Sequence, residues 1–87
     1  MAYKNPNGAT RKQAMLAAYS LKENFGANQG DIAKVLGCSG ATVSSWIKDV
    51  RYQKQIHDLS NELASVQQYV ENLQEEIRTI EHHEHND

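Results

Sequence analysis

The sequence predicts an all-α protein: a small helical head, then a long C-terminal helix that pairs with a second chain as a coiled coil. Three observations carry that prediction. From Ala41 to Asp87 there is no glycine and no proline, so nothing local stops a helix. Beyond residue 51 the apolar residues Tyr52, Ile56, Leu59, Leu63, Val66, Val70, Leu73, Ile77 and Ile80 follow alternating steps of four and three without a fault. Upstream, one apolar stripe (Ile32, Ala33, Leu36) and another (Val43, Trp46, Ile47) flank Gly37, Cys38 and Ser39, a set suited to a tight turn.

Residues 1–9 hold Asn5-Pro6-Asn7-Gly8 and form the expected N-terminal arm. The first helix is expected from about Thr10 to Asn24. Thr10 caps it, Gln13 completes a capping box, and Ala14, Leu16, Ala17, Ala18 and Leu21 face the core. Gly26 ends it by taking positive φ. Asn28 caps the second helix, with Asp31 favoured in the first turn by the helix dipole, and Gly37 closes it. Ser39 caps the third helix, which begins near Gly40.

In the long C-terminal stretch, Ile56, Leu63, Val70 and Ile77 take the a positions of the heptad. Tyr52, Leu59, Val66, Leu73 and Ile80 take the d positions. A helix of about 43 Å, at 1.5 Å per residue, is longer than the small head can cover, so the seam is expected to meet a partner. A parallel homodimer is the first expectation, with antiparallel and tetrameric arrangements open. Val43, Trp46, Ile47 and Val50 lie on one side of the third helix, and the later seam lies nearly opposite at 100° per residue. A bend or short break between about Asp49 and Gln53 would let both faces pack.

The 39% hydrophobic content and mean hydropathy of −0.71 are low for a compact globule, which again points to surface completed by a partner. A single cysteine rules out an intrachain disulfide and a multi-cysteine zinc site. No apolar run approaches the ~18 residues of a membrane-spanning helix, and no secretion signal opens the chain. A soluble, cytoplasmic protein without a membrane partner is expected. The net charge of −2 hides a split: residues 1–54 carry +5 and residues 55–87 carry −7. Only the first part suits a phosphate backbone.

The stretch from Gln29 to Lys48, QGDIAKVLGCSGATVSSWIK, resembles the broad superfamily of repressor-like and transposase-like helix-turn-helix domains. Ile32, Leu36, Cys38, Val43 and Trp46 stand at that pattern's core positions, with small Ala33 where the two helices cross. The resemblance implies double-stranded DNA as partner and a second helix entering the major groove. By place, Ser39, Gly40, Ala41, Thr42, Ser44, Ser45 and Lys48 face the groove, and Gln29 meets a phosphate. Lys48, Arg51 and Lys54 flank the groove, while Lys4, Arg11 and Lys12, with Tyr3, extend along a neighbouring phosphate run. The groove-facing side chains are short where such families carry Arg, Gln or Asn. Recognition through DNA shape and backbone approach is therefore expected over direct base readout.

The domains follow: 1–9 arm, 10–51 helix-turn-helix head, 52–81 oligomerisation helix and 82–87 His-rich tail. The tail run Glu81-His82-His83-Glu84-His85 has residues that could bind a metal ion but reads as a solvated helix end or an engineered remnant, with no metal site and no cofactor expected. No nucleophile–base pair, phosphate loop or paired carboxylates support catalysis. The expected function is a DNA-binding transcriptional regulator, a repressor by default, of bacterial, phage or plasmid origin and located at the nucleoid. The alternatives are a DNA-binding accessory subunit of a transposase, terminase or partition complex, or a coiled-coil adaptor for a second protein.

Overall fold

A computed structural model describes residues 9–85, the side chains of 81–85 excepted. The described residues are all-α. Five helices follow in order: α1 Arg11–Phe25, α2 Gln29–Leu36, α3 Gly40–Ile56, α4 Ser60–Ser65 and α5 Gln67–His85. The arm residues 1–8, Lys4 among them, lie outside the described residues, as do the side chains of the His-rich tail.

Local residues set both ends of α1 and α2 and the start of α3. Thr10 accepts the Gln13 N–H at 3.1 Å, and the Gln13 side chain accepts the Thr10 N–H at 2.8 Å, so two otherwise orphaned donors are satisfied together. Gly26 closes α1 at φ 66° and Gly37 closes α2 at φ 72°, left-handed conformations that a side chain would strain. Asn28 caps α2 by accepting the Asp31 N–H at 2.8 Å, and Ser39 caps α3 by accepting the Thr42 N–H at 3.1 Å.

α3 crosses both earlier helices, and its inner stripe of Val43, Trp46, Ile47 and Val50 is buried. Trp46 is therefore core, together with Ile32, Ala33 and Leu36, and Cys38 is half-buried at the turn.

The uninterrupted C-terminal helix expected from the lack of glycine and proline is not what forms. α3 continues as one helix through residues 49–53, so the short break expected there is displaced, and it stops at Ile56. His57 then turns extended, at φ −132° and ψ 150°. The Asp58 carboxylate accepts the backbone N–H of Ser60 at 3.0 Å and its hydroxyl at 2.6 Å. A short polar side chain that captures a nearby backbone donor offers the chain an alternative to the helix, and this turn takes it. A second, smaller kink at Val66 separates α4 from α5.

These breaks send the seam back onto its own head. α4 packs on α1, and α5 packs on α1 and α2. Leu59, Val66, Val70, Leu73 and Ile77 are buried in the same hydrophobic cluster as Ala14, Leu21, Ile32 and Leu36. Leu63, Tyr69 and Ile80 pack against it partly buried. The expected intermolecular coiled coil over residues 52–81 is thus replaced by packing within one chain. The expectation that the head is too small to cover the helix failed because the helix is cut, and α5 alone is only about 28 Å long. Tyr52 and Ile56 are the exceptions, 63% and 56% exposed at the end of α3.

Candidate nucleic-acid interface

The N-terminal ends of α2 and α3 are held together. Gln29, the first residue of α2, donates its side-chain amide to the carbonyl of Gly40, the first residue of α3, at 3.5 Å. Gln29 is half-buried by this bridge, so it positions the two helix ends as well as lying near any ligand they meet. Two helix N-termini set side by side present partial positive charge and unused N–H donors, a favourable setting for phosphate oxygens.

Along α3, one stripe stays open. Ala41, Ser45 and Lys48 are exposed; Gly40, Thr42 and Ser44 are half-buried at its edges. Ser39 is exposed, with its hydroxyl 2.9 Å from that of Thr42, so capping ties up part of both groups' hydrogen-bonding capacity. The open stripe is narrow and short-chained. A backbone or groove wall can approach it closely, with Lys48 as its one long cation.

The acidic C-terminal helix leaves α3 uncovered, while its Glu71 and Glu75 lie beside Phe25, just ahead of the α2 N-terminus. α5 packs on α1 and α2 and makes no contact with α3 among the described residues. The exposed Glu71, Glu75 and Glu76 therefore belong to a part of the surface carried by α1 and α2, and Arg78 is paired with Glu75 at 2.9 Å.

The remaining predicted cations divide. Arg51 is exposed but donates through both Nε and Nη2 to Glu23 on α1. Lys12 pairs with Glu62 of α4 at 3.4 Å. Both are thus engaged with carboxylates, a role hidden from sequence because Glu23 and Glu62 lie 28 and 50 residues away. Arg11 is exposed at the start of α1, on the same helix end as Lys12. Lys54 is exposed near the end of α3 and helps hold the Asp58 carboxyl below its usual range, behind the larger effect of the two Ser60 hydrogen bonds. Burial raises the Cys38 thiol above its ordinary value, which favours the protonated, less nucleophilic form.

A separate cleft of about 620 Å³ lies between α1, α3 and α4, with Met15, Leu16, Val50 and Leu59 among its walls and Asp49, His57 and Asp58 at its rim. Among the described residues, no group of three or more metal-ligating side chains comes together, and no helix is long and apolar enough to cross a membrane. No protein-family model matches this chain, and neither a curated protein nor a solved structure shows significant similarity to it.

Proposed function

We propose that the chain binds double-stranded DNA through the N-terminal half of α3, and that it acts as a transcriptional repressor. The observation that carries this reading is the open α3 stripe beside two joined helix N-termini, with the acidic helix packed on α1 and α2 and not on α3. α2 braces α3 through a left-handed glycine turn and a buried stripe on each helix, an arrangement suited to inserting a helix end into a major groove. Base discrimination by Ser39, Ala41, Thr42, Ser44 and Ser45 is modest, because short hydroxyls and methyls bond or touch several base edges. Affinity comes chiefly from phosphate contacts by Lys48, Arg11 and the two helix ends, and selectivity comes from DNA shape.

The test is titration of the full chain into duplex DNA, including its own upstream region, read by fluorescence anisotropy over a range of salt. Binding whose log affinity falls linearly with log salt, and which Lys48→Glu abolishes, supports the reading. Equal affinity in wild type and Lys48→Glu overturns it. An accessory role in a transposase, terminase or partition complex uses the same interface, and preferred binding to mobile-element ends over the upstream region would favour it.

A further inference from the structure

The turn at His57–Leu59 cuts an apolar stripe that is continuous in the sequence. Tyr52, Ile56, Leu59 and Leu63 keep steps of four, three and four straight through it. In the closed chain the two halves of this stripe have opposite fates. Leu59 is buried and Leu63 partly buried against the chain's own core, while Tyr52 and Ile56 stand out in solvent.

We propose that this turn is a hinge for exchange of α4 and α5 between two copies of the chain. In the exchanged form, residues 57–59 become helical and join α3 to α4. α4 and α5 of each copy then dock on α1 and α2 of the other. Every contact that α4 and α5 make in the closed chain is remade, so the core residues stay buried. The joined helix carries Tyr52, Ile56, Leu59 and Leu63 on one face, and that whole face now meets the second copy. Tyr52 and Ile56 of the two copies pair across the two-fold axis.

Four observations favour a second copy as the occupant of this face. The three-residue connection holds no glycine or proline, and short connections of this kind invite exchange. The side-chain hydrogen bonds of the turn come from one exposed residue, Asp58, on Ser60, while Leu59 anchors it by burial. α4 has six residues, none of them fully buried, and Leu59 at its start provides no side-chain cap, so little is lost when it is absorbed into a longer helix. Finally, Tyr52 and Ile56 are too small a patch to join two closed copies, since a stable interface buries about 800 Å² on each side. Exchange supplies the missing area. An extended coiled coil would instead strip α5 from α1 and α2.

Tyr52 also continues the stripe of Ala41, Ser45 and Lys48 along α3, so DNA is the competing occupant. Ile56 argues against it, having no group that can bond a phosphate; Gln53, beside it on the same side of α3, is uncharged, and Lys54 lies on the opposite side at 100° per residue.

The Lys12–Glu62 contact allows a direct test, because it lies within one chain in the closed form and between chains in the exchanged form. Lys12→Cys and Glu62→Cys are introduced together with Cys38→Ser, and a short bismaleimide is added after refolding at protein concentrations from micromolar to millimolar. The expected result is a linked monomer at low concentration and a covalent dimer at high concentration. Sedimentation of the unmodified chain should show dimer over the same range. Asp58→Ala should move the midpoint several-fold to lower concentration, and Ile56→Asp should move it several-fold higher while leaving the helical spectrum intact. Linked monomer alone across the range overturns the proposal, as does a sedimenting dimer whose links stay within one chain. So does an Ile56→Asp or Tyr52→Asp variant that loses DNA affinity with unchanged oligomeric state.

Discussion

Arg51 on α3 and Glu23 near the end of α1 form an ion pair across the crossing of those helices, with two guanidinium nitrogens donating to one carboxylate oxygen. Arg51 faces a choice that Lys48 does not, because a phosphate must displace Glu23 to use it. Glu23→Gln should therefore raise DNA affinity several-fold and steepen the salt dependence by about one unit, as one further phosphate contact becomes available. Both side chains are substantially exposed, so the pair itself stabilises the fold by no more than about 1 kcal/mol. Anisotropy titrations of both proteins at matched salt check this, with a thermal melt to confirm unchanged stability.

Lys48→Ala should weaken binding to all duplexes alike and reduce the salt slope by about one unit, the behaviour of a phosphate contact. A change confined to one sequence would identify Lys48 as a base reader instead.

The buried seam makes a prediction opposite to that of a coiled coil. Leu73 is fully buried within the chain, so Leu73→Ala should lower the unfolding free energy of the closed monomer by about 2–5 kcal/mol, independent of protein concentration below the range in which exchange sets in. Ile56→Ala, at an exposed position, should stay within about 0.5 kcal/mol. Urea denaturation at two protein concentrations separates the cases; a coiled coil would make the Leu73 effect depend on concentration.

Asp58 links the hinge to pH. Its folded carboxyl titrates below its ordinary value, chiefly because of the Ser60 hydroxyl and N–H bonds, so the charged form is favoured in the turn. The turn's stabilisation is therefore complete above the ordinary Asp range. It is lost as pH falls through the lowered folded value. The protection factor of the Ser60 amide, taken against the intrinsic exchange rate at each pH, should fall in acid in the wild type, and Asp58→Asn should remove that acid-dependent change.

Cys38, half-buried with its thiol pushed up by burial, should react slowly with a disulfide reagent at neutral pH and faster as pH rises above the free-thiol range. A burst at neutral pH in the native chain would contradict this.

The head was largely legible in the sequence because its signals are local. Thr10 with Gln13, Asn28 with Asp31, and Ser39 with Thr42 are each three residues apart and form the caps their types suggest. The open α3 residues were also legible, since a cap and a 3.6-residue period fix which side chains remain outside. Glu23, Glu62 and the bridge from Gln29 to Gly40 were not, because each joins residues remote in sequence. Asp58 was within reach, as Asp-x-Ser is a turn and cap signal. The unbroken heptads outweighed it.

By itself the sequence determined that this protein is helical, where α1 and α2 begin and end, where α3 begins, and that an apolar stripe runs from Tyr52 to Ile80. Tertiary structure alone decided what covers that stripe. A 4–3 spacing states that a helix has one oily face; it carries no information about whose surface lies against it. The uncovered sides of α1 and α2 needed cover, and a break at His57 and Asp58 brought Val66, Val70, Leu73 and Ile77 onto them without a second chain.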